Sequence, residues 1–338
     1  MKKRGRGIAS CWYGIARTAT VDRAGAWVEL DDGGTAKVMV GVTEIGEGIL
    51  TALAQIAAAE LGLRPEDVTL GDNDTSRVPE AAHAGATRQT YMCGNAVALA
   101  CRDARARFDR EITAHWGIDG PLQAQAGIIW SASRPELRMS MAEAVQICKG
   151  RGVVPVGSGS FTADHTALNP ETGEGRPWQA YVFGTQIVDV EVDTRTGAVQ
   201  VLRVVAAHDV GRAINPQGVQ AQIEGGVVMG IGYATMEEFE REQGVPKTTG
   251  FSKYILPTAM DIPEITGIIV EDPDPLSPLH AKGIGEPAIL PTAPAIINAI
   301  YDAVGVRITT LPASPERVLK AIREKEAAMH ATHQPINP

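Results

Sequence analysis

The sequence predicts an α+β protein, and three observations predict it. Short runs bounded by Gly and Asp clusters read as strand hairpins, at residues 26–30 with 35–42 and at residues 181–192 with 198–207. Longer runs with apolar residues three and four apart read as helices, at residues 49–61, 88–116, 140–150 and 219–240. The two kinds are mixed without regular βαβ alternation, which disfavours a doubly wound parallel sheet.

Each element has a local reason. Asp31-Asp32-Gly33-Gly34 supplies the turn of the first hairpin and Asp193-Thr194-Arg195-Thr196-Gly197 that of the second. A special loop and then a helix follow each hairpin, through residues 41–48 and 209–218, so the order hairpin, loop, helix occurs twice. Gly62 is placed to end the helix of residues 49–61. Ser140 with Glu143 forms a capping box at the start of residues 140–150. Alanines along residues 88–116 allow close packing, and the polar stretch 162–178 reads as a loop. A chain of 338 residues is long enough for two domains, with the boundary expected near residue 155: 1–155 and 156–338.

Composition narrows the function. With 31 basic against 40 acidic residues the net charge is −9, which disfavours a nucleic-acid or anionic-membrane partner. Cys11, Cys93, Cys101 and Cys148 make no C-x-x-C pair. That argues against an iron–sulfur cluster or zinc ribbon in this chain and fits a reducing, cytoplasmic setting. The basic start lacks an apolar run behind it, and no segment reaches the ~18 apolar residues of a membrane span, so neither a signal peptide nor a span is expected. Glycine is 36 of 338 residues, roughly 11% against about 7% on average, so backbone is brought close to something repeatedly.

Four glycine-rich segments are candidate ligand contacts. The first, residues 41–48, contains Gly46 and Gly48; the second runs Gly85, Ala86, Thr87, Arg88, Gln89, Thr90. The third begins at Gln222, and the fourth is Lys282-Gly283-Ile284-Gly285-Glu286-Pro287. Each sets small residues and backbone N–H groups near a helix start, a seat for anions. Pro287 suits the first position of a helix over residues 288–301, which would hold Glu286 rigidly at its mouth. A carboxylate so placed serves either as a general base or as a complement to the helix dipole, worth about 0.3–1 kcal/mol. Spacing alone favours the helix-dipole role. No dinucleotide fingerprint, Walker A, H-E-x-x-H or G-x-S-x-G is present.

Four stretches together carry a resemblance: residues 41–63 (GVTEIGEGILTALAQIAAAELGL), 82–98, 209–238 (DVGRAINPQGVQAQIEGGVVMGIGYATMEE) and 281–315 (AKGIGEPAILPTAPAIINAIYDAVGVRITTLPASP). In this order they resemble the C-terminal part of the molybdenum-binding subunit of the xanthine dehydrogenase/aldehyde oxidoreductase family. The nearest likeness is to the medium molybdopterin subunit of nicotinate dehydrogenase-type complexes. The resemblance implies that family's cofactor-binding fold, with two α/β-layered halves and mixed sheets. It implies a subunit of a molybdenum hydroxylase acting with water-derived oxygen on a nicotinate- or purine-like N-heterocycle. An aldehyde oxidiser, or a non-catalytic scaffold completing a partner's site, is the alternative.

Residue by residue, the resemblance implies Glu286 as the general base and Gln222 as a hydrogen-bonding partner of the cofactor. Gly46 and Gly48, the loop from Gly85 through Ala86, Thr87, Arg88 and Gln89 to Thr90, and Lys282, Gly283 and Gly285 would hold the pterin and its pyrophosphate. The molybdenum–pterin group, as the cytosine dinucleotide, would be shared with a large molybdopterin subunit. A [2Fe-2S] subunit and an FAD subunit would carry the electrons. No protein side chain would ligate the metal, because the pterin dithiolene does. Glu47 stands where the family carries glutamine, and is expected to point away from any phosphate.

Overall fold

The computed structural model describes residues 1–17 and 21–332. The chain runs through β1 (Lys2–Gly14), β2 (Arg23–Leu30), β3 (Ala36–Met39), α1 (Ile49–Leu61) and β4 (Val68–Leu70). A π turn (Gln89–Cys93) leads into α2 (Gly94–Trp116). A small meander, β5 (Leu122–Gln125), β6 (Ile128–Ser131) and β7 (Arg138–Ser140), precedes α3 (Met141–Gly150) and β8 (Val156–Thr162). Then come β9 (Tyr181–Asp193), β10 (Val199–Asp209), α4 (Pro216–Thr235), the ribbon β11 (Arg241–Glu242) and β12 (Val245–Pro246), and β13 (Glu264–Val270). The helices α5 (Thr292–Val304) and α6 (Pro315–Thr332) complete the described chain.

Two four-stranded sheets, ordered β4-β3-β2-β8 and β1-β9-β10-β13, form the framework. They are built alike. In each, an outer strand pairs antiparallel with the first strand of a hairpin, and the second hairpin strand pairs in parallel with a later strand. The repeat read from the sequence is therefore a repeat of sheet topology.

The outer strands also carry the same device. On β1, a Cβ added at Gly5 would lie 2.3 Å from the Ala299 carbonyl oxygen, and one at Gly7 2.1 Å from that of Ala295, both on α5. On β8, a Cβ at Gly157 would lie 2.1 Å from the Ala100 carbonyl oxygen, and one at Gly159 2.2 Å from that of Ala96, both on α2. In both sheets a G-x-G strand lets an alanine-lined helix lie directly on its backbone. Gly5, Gly7, Gly157 and Gly159 serve this packing.

The sheets draw strands from both sides of residue 155. β1 pairs with β9 over its whole length, from Lys2 opposite Asp193 to Gly14 opposite Tyr181, while β8 completes the sheet of β2. The halves 1–155 and 156–338 thus exchange a strand each. One core lies under β2, β3 and α2 (Val28, Leu30, Val38, Phe108), the other between β9, β10 and α5 (Val188, Val190, Val204, Ile296, Ile300).

Helix boundaries depart from the sequence reading at three starts. α2 begins at Gly94 after the π turn rather than at Arg88, and α4 begins at Pro216, where Asn215 caps Gly218 N–H at 3.0 Å. α5 begins at Thr292, not at Pro287. Among the described residues no helix is long and apolar enough to cross a membrane.

Candidate functional site

The loop after the first hairpin, helix α4, the turn before α5 and the residues leading into the π turn before α2 converge on one cavity of about 300 Å³. It brings together Gly48, Gly85, Thr87, Arg88, Gln89, Thr90, Gln222, Gly283, Gly285 and Glu286, with Glu47. Gly46, Ala86 and Lys282 are not in its wall.

Glu286 sits in a run of turns, six residues before α5 begins, so it does not complement that helix's dipole. Its position is set by side chains from elsewhere. The Tyr13 hydroxyl at the end of β1 donates to Glu286 Oε2 at 2.7 Å, and the Thr87 hydroxyl donates to the same oxygen at 2.9 Å. The Glu286 N–H in turn donates to Thr87 Oγ1 at 3.3 Å. Burial pushes the Tyr13 phenol far above its ordinary pKa, and the neighbouring Glu286 carboxylate raises it further, so it stays a donor. Tyr13 escaped sequence reading because its strand did; the alternation of Lys2, Arg4 and Arg6 against Asp189 and Glu191 was the available signal.

Thr87 reaches Glu286 from a strained loop. Gly85, Ala86 and Thr87 have φ of +155°, +52° and +52°, a conformation costing about 1–3 kcal/mol at each non-glycine. The Ala86 carbonyl is held by the Ala16 N–H at 2.9 Å. Gly283 allows the contact, since a Cβ there would lie 2.4 Å from the Thr87 carbonyl oxygen. Gln222, half-buried on α4, has no hydrogen-bond partner for its amide among the described residues, and its Oε1 lies 3.9 Å from where a Gly285 Cβ would stand.

Four of the expected cofactor contacts already have carboxylate partners within the chain. The N–H groups of Gly46 and Gly48, with that of Leu50, donate to the Glu44 carboxylate at 2.8, 3.0 and 3.2 Å. Burial works against charge on Glu44, but these donors outweigh it and hold its pKa below the usual carboxylate range. The anion seat at the start of α1 is filled by the chain's own carboxylate. The Arg88 guanidinium is fully buried, 2.7 Å from Asp22 Oδ1, and donates also to the Ala81, His83 and Arg23 carbonyls, so it offers no charge to the cavity. Lys282 is bound to Asp209 at 2.8 Å and Asp272 at 3.2 Å. Burial lowers its pKa, but the two carboxylates more than offset this and the net shift is upward. It lines an adjoining cavity of about 90 Å³, whose wall also holds Gln222 and Thr90, and its charge is already balanced.

Glu47 lines the main cavity instead of turning from it. One of its oxygens accepts the Ile45 N–H at 2.8 Å; the other is buried without a partner. Burial, with the nearby Glu44 charge, raises its pKa. Gln89 is buried and donates to the Thr43 carbonyl at 3.4 Å, bracing the first glycine loop. Among the described residues no group of three His, Cys, Asp or Glu side chains could hold a metal ion.

A model of the molybdopterin cofactor-binding domain matches residues 1–263. The chain belongs to this family, the molybdopterin-binding part of the xanthine dehydrogenase/aldehyde oxidoreductase proteins. It is 32% identical to the 6-hydroxypseudooxynicotine dehydrogenase complex subunit gamma of Paenarthrobacter nicotinovorans, over 90% of this chain and 39% of that protein. It is 30% identical to a probable xanthine dehydrogenase subunit of Bacillus subtilis, over 96% and 42%. The aldehyde oxidoreductase structure from Desulfovibrio gigas superposes with a TM-score of 0.80 at 29% identity, covering 95% of this chain and 33% of that one. Quinoline 2-oxidoreductase from Pseudomonas putida 86 gives 0.84 at 27%, covering 96% and 42%. The chain spans about two fifths of the length of the curated relatives it matches.

The molybdopterin family's cofactor fits the cavity's donor set. The wall offers an unpartnered amide at Gln222, glycine backbone at Gly85 and an open glycine position at Gly285, with an anchored carboxylate at Glu286.

Proposed function

We propose that this chain is the molybdopterin-binding subunit of a multi-subunit hydroxylase that oxidises an N-heterocycle. The observation that carries this reading is the asymmetry of Glu286. One carboxylate oxygen is anchored by Tyr13 and Thr87, and the other has no hydrogen-bond partner in the cavity wall among the described residues. A general base needs this: fixed orientation, one free lone-pair face and a proton donor brought within about 3 Å. When bound, the molybdenum–pterin group supplies the two-electron acceptor and acidifies the water that becomes the product hydroxyl. Glu286 Oε1 takes the proton, Gln222 orients the bound group through its amide, and the glycine-lined wall lets that group approach the backbone. The quinoline 2-oxidoreductase structure and the 6-hydroxypseudooxynicotine dehydrogenase subunit support a heterocycle, while aldehyde oxidoreductases of similar identity keep an aldehyde as the second reading.

The cofactor is read as the cytosine dinucleotide, bound together with a large molybdopterin subunit. The outer face of the second sheet supports a partner: Trp12 is 67% exposed beside Phe183 at 53%, with Ile8 and Ile187 exposed in the same pair of strands. Electrons would leave through [2Fe-2S] and FAD subunits, since the four cysteines here are free and scattered. Free thiols also support a cytoplasmic setting.

The test is Glu286→Gln in the assembled complex. The amide keeps the shape and cannot take the proton. Molybdenum content should persist while turnover per molybdenum atom falls by about 10²–10⁴. Turnover within a factor of a few of wild type would sink the reading.

A further inference from the structure

Behind the Glu286 turn lies a buried polar chain with no part in the chemistry proposed so far. Gln186 on β9, His208 on β10 and Thr292 at the start of α5 are all fully buried. The Thr292 hydroxyl donates to Gln186 Oε1 at 2.7 Å, and Gln186 Nε2 donates to the Ala288 carbonyl at 2.7 Å. Gln186 Nε2 also lies 3.2 Å from His208 Nε2.

Donor and acceptor counting fixes every direction. The Ala288 carbonyl can only accept, so the amide nitrogen must face it and Oε1 must face Thr292. The second amide hydrogen then points at His208 Nε2, which must present a lone pair. The ring is therefore neutral with its proton on Nδ1, and burial pushes its pKa down to about 4, in agreement. His208 Nδ1 has no partner among the described residues, a cost accepted to keep Nε2 an acceptor.

The segment this chain grips holds itself poorly. Its internal bonds, Ile289 N–H to Glu286, Leu290 N–H to Pro287 and Thr292 N–H to Ile289, measure 3.3, 3.3 and 3.2 Å. The two 2.7 Å bonds through Gln186 are shorter than any of these. From the other side α4 packs flush: a Cβ on Gly226 would lie 2.6 Å from the Ala288 Cβ, and one on Gly230 2.4 Å from the Thr292 Cβ. Ala288, held directly, is two residues past Glu286.

We infer that Gln186, oriented by His208 and Thr292, is a positioning residue that sets the Glu286 carboxylate at the cavity by clamping the Ala288 carbonyl. This rests on the reading of Glu286 as the base.

Cys11 provides a reporter independent of molybdenum chemistry. Its thiol donates to the Pro287 carbonyl at 3.7 Å, and it is half-exposed while Cys93, Cys101 and Cys148 are buried. In the assembled complex, Thr292→Val keeps the shape and removes the hydroxyl, whereas Thr292→Ser keeps the hydroxyl. With valine, iodoacetamide should alkylate Cys11 severalfold faster, and turnover per molybdenum should fall about tenfold at unchanged KM. With serine both should stay near wild type. Gln186→Met, which removes the clamp at similar volume, should repeat the valine result should that variant fold poorly. Wild-type alkylation and turnover in both clamp-less variants would overturn the inference, as would a serine variant as damaged as valine. The alkylation arm judges the clamp even where Glu286→Gln denies the function.

Discussion

The Tyr13 hydroxyl and the Glu286 carboxylate meet at 2.7 Å across 273 residues of chain. β1 ends at Gly14 under the Trp178 ring, which fixes the height at which Tyr13 leaves the sheet. Strand β1, paired with β9, and the glycine turn at Glu286 therefore build one site.

Tyr13→Phe follows from this contact. Phenylalanine keeps the ring and removes one of two donors to Oε2, leaving Thr87 alone. A hydrogen bond to a charged group is worth about 1.5–3 kcal/mol, so turnover per molybdenum should fall about ten- to hundredfold with cofactor content unchanged. Steady-state kinetics beside metal analysis decides it; unchanged turnover would show that Thr87 suffices.

Gln222 and Gly85 separate binding from folding. The Gln222 amide has no internal partner among the described residues, so Gln222→Ala should move the unfolding free energy by less than about 0.5 kcal/mol. If the amide holds the cofactor, the molybdenum and pterin recovered per chain should nevertheless drop. Gly85→Val should lower both quantities, because φ is +155° and a Cβ there would lie 3.0 Å from the His83 ring. Full cofactor content in Gln222→Ala would remove that residue from the site.

Much of this was legible in the residues, and the misses have physical causes. The Ser140–Glu143 capping box and the α1 span from Ile49 to Leu61 are local signals, and both are present. β1 was illegible because in its first half the outward residues Lys2, Arg4 and Arg6 are basic and Gly5 and Gly7 face inward, a pattern that makes sense only beside β9 and under α5. Pro287 read as a helix start because proline there is permissive, yet the Gln186 clamp and the Thr87 contact hold residues 286–291 as turns. The positive φ of Ala86 and Thr87 leaves no mark in residue type. The carboxylate partners of Arg88, Lys282 and the Gly46 and Gly48 amides were not legible, because Asp22 and Asp209 lie far away in sequence and Glu44 carries no local signal.

His208 gives the fold an acid-sensitive component. Its pKa is about 4 when folded against an ordinary 6.5, so the unfolded chain binds the proton first. The stability this neutral ring allows is complete above pH 6.5 and is lost as pH falls towards 4, by about 3 kcal/mol in all. His208→Gln offers an acceptor to Gln186 with nothing to titrate. Thermal melts between pH 7 and pH 4 should show a smaller acid loss in this variant than in wild type; parallel curves would place the acid sensitivity elsewhere.

Glycines of one composition class should respond in opposite directions. At Gly7 a methyl group would lie 2.1 Å from the Ala295 carbonyl oxygen and 2.3 Å from the Ala299 N, both backbone atoms of α5 that have nowhere to go. Gly7→Ala must therefore lift the helix from β1, and overpacking of this kind costs about 1–3 kcal/mol or more. Because Tyr13 lies on the same strand and residues 286–291 lead into the same helix, the lift should also disturb the Tyr13–Glu286 contact and lower turnover. Gly225, in the middle of α4, has no atom within 4 Å of an added Cβ and no positive φ. Gly225→Ala should stabilise the chain by about 0.5–1 kcal/mol through helix propensity alone. Melting temperatures of the two variants, measured on the same preparation of the complex, should move apart. A Gly7→Ala protein as stable as wild type would mean that α5 does not lie on the β1 backbone, and the parallel with Gly159 under α2 would fall with it.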